Sequence, residues 1–318
     1  MPVFLMILEI TSILQAPPLH DSTKIITKGQ ITMGILIAVL SALTSTAKDV
    51  TSKTLGGAIH PDISTCSSFL FALPYYVIAI AVAIVLGYEQ LLFSKWFIAL
   101  VLLRSITDVF AEGCKMRALT FGDISLVASF LSLSPLLLAI ISPMITDDIV
   151  TVVDLLALSL IVCGSFLLIQ RDMDTGKVFQ LKAILYACGA SIAFSLNHCF
   201  DRLVVSESSP LMAAFAVTFL ASIFTLPIAL RRKNVVSAII AYRRPLLVRG
   251  GFETMQLVSK LIAMSFLEAH IVVGILRLSL LSSVLSGRLY FKETRATTRL
   301  IPSLLIYLGL ITLIMSHL

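Results

Sequence analysis

The residues best placed to do chemistry lie in one short stretch, Arg104-Ser-Ile-Thr-Asp108-Val-Phe-Ala-Glu112-Gly-Cys-Lys115. Arg104, Asp108 and Glu112 recur every fourth position, so on a helix they share one face. The surrounding run from Trp96 to Leu119 is otherwise apolar and reads as a membrane span. An ionised side chain at membrane depth costs roughly 2.5–3.5 kcal/mol even on the gentler insertion scales. Such groups therefore pair with one another or line a polar cavity. A carboxyl in a low-dielectric site can also exchange a proton near neutral pH, which makes Glu112 the candidate proton-coupling residue.

A second copy of this pattern lies downstream. Arg249, Glu253 and Lys260 follow Arg104, Asp108 and Lys115 at a constant offset, because 249−104, 253−108 and 260−115 all equal 145. The same offset joins Asp148 to Glu293 and Gly164 to Gly309, while an offset of 149 joins Pro61 to Pro210 and Lys53 to Arg202. Glu112 has no charged counterpart, since position 257 is Leu257. Arg277 breaks the symmetry as well, because its counterpart is Ser132. Two readings of Arg277 stand side by side. It either pairs with Asp108, Glu112 or Glu253, or it clamps a carboxylate or phosphate on a substrate.

The remaining polar residues add to this set. Lys48 and Asp49 end the first span, with Asn197 and His198 as approximate counterparts. An interfacial pair is one reading of Lys48 and Asp49, since long side chains snorkel. Gln256 follows Glu253 on the eighth span and can hydrogen-bond a solute. The substrate-binding candidates are Arg277, Arg104, Asp108, Glu253, Gln256, Lys48 and Asn197. Lys115 and Lys260 match by repeat and read as a shared helix-end feature, and Asp148 and Glu293 as caps of each repeat's last helix.

The elements that carry these residues are membrane helices. Hydrophobic residues make up 58% of the 318 and charged residues 13%, against about 25% charged in soluble domains. Ten apolar segments recur, near 31–47, 63–87, 96–119, 124–144, 152–169, 181–200, 211–230, 246–266, 269–291 and 300–316. The short run from Val3 to Leu14 is too brief to span, and Arg171 to Lys177 forms a charged boundary. The expected organisation is a prefix over 1–30, a first five-helix unit over 31–170 and a second over 171–318. An odd number of spans per unit inserts the second upside down, giving an all-α membrane protein of two inverted repeats.

The five cysteines are scattered singly, so neither a disulfide framework nor a zinc site is expected. A nucleotide-binding loop, an HExxH motif and a metal cluster are all missing from the sequence pattern, and no catalytic, metal-ligating or cofactor-binding residue is expected. The net charge of +6 comes from helix ends and loops rather than from a basic stripe, so nucleic acid is not an expected partner. The expected partners are a small-molecule substrate and the lipid bilayer, with a monomer as the working unit.

Each unit's second half has a recurring order: Lys, then Ala with Leu or Met, a small-residue helix, an acidic turn, and a helix with a late Gly. In the first unit these are Lys115, Ala118-Leu119, Ser132-Leu-Ser-Pro135, Asp147-Asp148 and Gly164. In the second they are Lys260, Ala263-Met264, Val273-Gly274, Lys292-Glu293 and Gly309. This order resembles the drug/metabolite transporter superfamily, in its ten-helix form with two EamA-type repeats. The resemblance implies a secondary transporter, such as an antiporter, for a small organic metabolite in a plasma membrane or bacterial inner membrane. Amino acids, sugars, nucleotide sugars and phosphorylated compounds are all within its range. The basic character of the set above favours an anionic or zwitterionic solute. A membrane-embedded enzyme, marked by a His/Asp or Asp/Asp cluster at the membrane surface, and a non-transporting scaffold are the alternatives.

Lys and Arg collect on one side of the ten spans, at Arg117, Arg171, Lys177, Arg231, Arg232, Lys233, Arg243 and Arg244 among others. The positive-inside rule puts that side in the cytoplasm and both termini outside, opposite to the usual habit of the family it resembles. A cysteine placed at Asn234 in a cysteine-free background is expected to resist an impermeant thiol reagent in intact cells. Labelling from outside would reverse the orientation.

Overall fold

The computed structural model describes residues 28–55, 59–87, 94–121, 130–146, 148–170, 181–233, 235–279 and 300–317. The prefix, the 171–177 linker and the Lys292-Glu293 turn lie outside these residues. The first repeat contributes α1 (Lys28–Leu55), α2 (Pro61–Val85), α3 (Lys95–Phe121), α4 (Ser134–Ile145) and α5 (Val152–Gln170). The second contributes α6 (Leu181–Glu207), α7 (Pro210–Leu230), a short surface helix α8 (Val235–Ala241), then α9 (Arg243–Phe266), α10 (Ala269–Leu276) and α11 (Leu300–Met315). Among the described residues every regular element is helical.

Local chemistry sets several starts. Pro61 and Pro210, already matched by repeat, each occupy the first turn of a helix, where the missing N–H costs nothing. Ser209 Oγ accepts from Met212 N at 3.1 Å as an N-cap. Thr151 and Asp154 form a reciprocal capping box at α5: Asp154 N donates to Thr151 Oγ1 at 3.2 Å and Thr151 N to Asp154 Oδ2 at 2.9 Å. The expected cap Asp148 does not serve α5. Its Oδ2 instead accepts from Ala269 N, at the start of α10 in the other repeat.

Four helices, α1, α2, α6 and α7, are long and apolar enough to cross a membrane. Helices α3 and α9 have the length, at 27 and 24 residues, but carry the charges. Helices α1 and α6 run past their expected ends, to Leu55 and Glu207. Lys48 beyond the expected end of α1 meets Glu253 of α9, and Asp201 beyond that of α6 meets Arg104 and Lys260. The ninth span is also corrected. Helix α10 ends at Leu276 with Arg277 as its C-cap, helix resumes at residues 278–279, and residues 280–291 of the expected span lie outside the described residues. Ser132, the repeat counterpart of Arg277, lies in the turn that precedes α4. Both fourth helices are therefore interrupted at one repeat position.

Packing relates the repeats by exchange. Helix α3 packs on α6, as α9 does on α1; α3 meets α7, as α9 meets α2; and α4 meets α6, as α10 meets α1. The pairs α2–α7, α5–α11 and α4–α10 each map onto themselves. At α5–α11 the exchange reaches single atoms. A Cβ on Gly164 would lie 2.8 Å from Pro302 O and Ile306 Cγ1, and one on Gly309 would lie 2.6–2.7 Å from Ala157 O and Ile161 Cγ1. Both offsets are the repeat's own, 302−157 and 306−161 each giving 145. Small residues let membrane helices approach this closely. Gly164→Leu and Gly309→Leu are each expected to lower stability by about 1–3 kcal/mol through overpacking, to similar extents, in thermal unfolding of the purified protein. A neutral result at either glycine would remove the close approach.

Candidate functional site

Two polar networks cross the helix bundle. The first gathers on α3, α6 and α9. Arg104 reaches Asp108 one turn along its own helix at 2.9 Å, and its Nε donates to Asp201 Oδ1 on α6 at 2.9 Å. Lys260 Nζ on α9 donates to the other oxygen, Asp201 Oδ2, at 2.7 Å. Asn197 Nδ2 donates to Asp108 Oδ1 at 2.9 Å, and Thr107 Oγ1 donates to Asn197 Oδ1. His198 Nδ1 lies 3.6 Å from Asp201 Oδ2. Asp201 is 1% exposed and Lys260 4%, so this is an interior network rather than a solvated face.

The second network joins α9 to α1 and α2. Lys48 Nζ lies 3.3 Å from Glu253 Oε2, and Ser68 Oγ donates to the same oxygen at 2.9 Å. Arg249 donates to the carbonyl and hydroxyl of Ser64 at 3.0 and 2.6 Å. Ser41 Oγ donates to the backbone carbonyl of Gln256 at 2.9 Å. The networks sit toward opposite ends of the bundle. Asp201 and Lys260 are near the ends of α6 and α9, where Ser94 before α3 meets Glu207 at 3.1 Å. Lys48, Ser64 and Arg249 are near the other end, where Arg232 meets Asp62 at 2.7 Å.

The sequence candidates thus divide. Arg104, Asp108 and Asn197 come together, and Lys48 and Glu253 come together across repeats. Lys48 is therefore not confined to an interfacial pair with Asp49. Glu112 stays on its own helix, with Lys115 at 3.0 Å. Gln256 is buried close to Glu253 on α9. Arg277 joins neither network. The acids expected as its partners, Asp108, Glu112 and Glu253, are taken by Arg104, Lys115 and Lys48. Its Nε is buried without a hydrogen-bond partner among the described residues.

Sequence reading missed the hub. Asp201 holds one cation with each oxygen, yet its repeat counterpart is Ser52 (201−149), so symmetry did not flag it. One signal was available: Asn197 and Asp201 are spaced i, i+4, like Arg104 and Asp108, and so share a helical face. Lys115 and Lys260 differ in their partners. Both lysines face α6, but Lys115 pairs with Glu112 of its own helix and lies over the Phe194 ring at 5.8 Å, whereas Lys260 is buried and makes an ion pair with Asp201.

A third cluster was not foreseen by sequence spacing. Asp154 at the start of α5, His270 at the start of α10 and His317 just past α11 bring their ligating atoms within 4.8 Å of one another. Their chain positions are too far apart to form any metal-binding motif.

Comparison with known proteins agrees with this architecture. The EamA-like transporter family matches residues 32–170 and again 181–315, and the chain belongs to that family. It is therefore an integral membrane protein of a family of small-molecule transporters. A solved crystal structure of a protein aligns over 88% of this chain and 96% of its own, at a TM-score of 0.65 and 15% identity, which shows a shared fold. No curated protein matches by sequence.

The hub sets a clear energetic expectation. Removing one partner of a buried pair strands the other charge, at about 3–5 kcal/mol. Asp201→Asn and Lys260→Met are each expected to destabilise by that order. In the double variant the losses should fall short of additivity by about 0.5–3 kcal/mol. Additive losses in denaturation would mean that the two groups do not interact.

Proposed function

We propose that this protein is a secondary transporter that moves a small anionic or zwitterionic organic metabolite by alternating access, with Arg277 holding the substrate's negative group. The solute class includes amino acids, nucleotide-like compounds and phosphorylated compounds. The observation that carries the reading is the state of Arg277. The other buried or half-buried cations described within the bundle, Arg104, Lys260, Lys48, Arg249 and Arg202, each have an acid or a hydrogen-bond acceptor beside them. Arg277 has neither among the described residues, and it sits where a helix of the second repeat breaks. Broken helices at a repeat interface are where secondary transporters build substrate sites. A planar guanidinium suits a bidentate carboxylate or phosphate.

The two networks support alternating access. Each ties the third helix of one repeat to the first helix of the other, near opposite ends of the bundle. Opening one end requires loosening one network while the other holds. Both repeats belong to one chain, so a monomer suffices. Arg104, Asp108, Asn197, Lys48, Glu253 and Gln256 then act as walls and gates of the pathway. Glu112, with Lys115 as its partner, remains the proposed proton-coupling group. The enzyme alternative calls for a cluster at the membrane surface, whereas Asp154 and His270 are fully buried.

The test is counterflow into liposomes preloaded with candidate solutes. Wild-type protein is expected to accumulate labelled carboxylate or phosphate solutes against their gradient. Arg277→Lys keeps the charge but loses the fork, and should abolish most of that exchange while leaving thermal stability near wild type. Normal counterflow by Arg277→Lys, or full-affinity binding by Arg277→Gln, would overturn the clamp.

A further inference from the structure

The cluster of Asp154, His270 and His317 has features that helix packing alone does not account for. His270 is 0% exposed, and neither of its ring nitrogens has a hydrogen-bond partner among the described residues. A buried imidazole without a partner is costly, and such groups call for an explanation. Its Nε2 is aimed between two carboxylates, 3.6 Å from Asp154 Oδ2 and 3.7 Å from Glu268 Oε2. Those distances are long for hydrogen bonds but close to the ligand-to-ligand spacing around a small cation. Glu268 Oε2 is also buried and without a hydrogen-bond partner. On the far side, His317 Nε2 lies 2.9 Å from Asp154 Oδ1.

We infer that Asp154, His270 and His317 form a binding site for a divalent transition-metal ion of the zinc type, with Glu268 beside it at His270. Two imidazole nitrogens and one carboxylate oxygen make a three-residue donor set that suits zinc, with a fourth position left for water or a further oxygen, and that disfavours magnesium and calcium, which want oxygen alone. Asp154 supplies one negative charge within the set, and Glu268 adds a second beside His270. Outer contacts already orient it. Thr151 N and Oγ1 donate to Asp154 Oδ2 at 2.9 and 2.7 Å, Ser316 Oγ donates to Asp154 Oδ1 at 3.2 Å, and Ile149 N donates to Glu268 Oε1 at 3.2 Å. Such neighbours are typical of metal sites. Arg202 is the nearby cation, and Asp148 engages it at 3.8 Å. His317 and Glu268 are partly exposed while Asp154 and His270 are buried.

The ligands come from the start of α5, the start of α10 and the residue just beyond α11. A bound ion therefore ties three helices of two repeats at the end of the bundle that also holds Asp201. Helix α10 is the one that ends at Arg277, so the ion fixes the helix that presents the proposed substrate cation. The site itself does not depend on the transport reading.

The test uses purified full-length protein without a histidine tag, in detergent. Zn²⁺ added at micromolar levels is expected to raise the apparent Tm, whereas Mg²⁺ is not. Co²⁺ is expected to give the visible absorption of a tetrahedral site. His317→Ala is the key variant, because His317 lies outside the helix and is partly exposed, so the fold should survive. It should lose the Zn²⁺ shift and the Co²⁺ band, as should Asp154→Asn. His60→Ala, at an exposed histidine elsewhere, should keep both. Four results would overturn the inference. These are no Zn²⁺ shift in the wild type, an equal shift with Mg²⁺, a shift retained by His317→Ala, or stabilisation by lowered pH alone, which would mean that a proton on His270 fills the site.

Discussion

A carboxylate buried among membrane helices must be answered from another helix, and Asp201 shows what that requirement builds. Its two oxygens face in different directions, one toward Arg104 on α3 and one toward Lys260 on α9. Three helices are thereby fixed in rotation and in depth. None of the three charges is affordable alone, since each would be stranded in a medium that cannot solvate it. Asp108 and Asn197 then fill the remaining hydrogen-bonding capacity of the cluster. The pairing makes it physically reasonable for α3 to carry charge and still cross the membrane.

The second network solves the same problem with different residues. Glu253 stands where Asp108 stands in the first repeat, but its partners are Lys48 and Ser68 rather than an arginine one turn away. The backbone exchange survives this change because it rests on small residues and close approach, as at Gly164 and Gly309. Side chains need not obey it. A transporter gains from that freedom, since a substrate is itself asymmetric and the two ends of a pathway face different solutions. Arg277 and Glu112, both without charged repeat counterparts, are the clearest departures.

The end of the bundle near α10 carries a separate constraint. Asp148 caps α10 from the first repeat, Asp154 caps its own helix, and Glu268 accepts from Ile149. Three acids and two histidines therefore meet where α5, α10 and α11 converge. Placing so many acids together needs positive charge between them. Arg202 supplies part of it, 3.8 Å from Asp148.

Much of this was legible in the chain itself. Hydropathy sets the membrane class, because no soluble fold accommodates apolar runs of that length. The 145-residue offset reveals the repeat, since duplicated helices keep the spacing of residues such as Arg104, Asp108 and Lys115. Helix periodicity places Arg104, Asp108 and Glu112 on one face. Partners were a different matter. Periodicity says which residues share a face, but not which helix that face meets or at what depth. Only packing paired Arg104 with Asp201, took Lys48 to Glu253, left Arg277 at a helix end without an acid among the described residues, and brought Asp154, His270 and His317 together from three distant segments. Contacts of such long sequence separation are decided by how helices cross and how closely their glycines let them approach, and no local pattern encodes that.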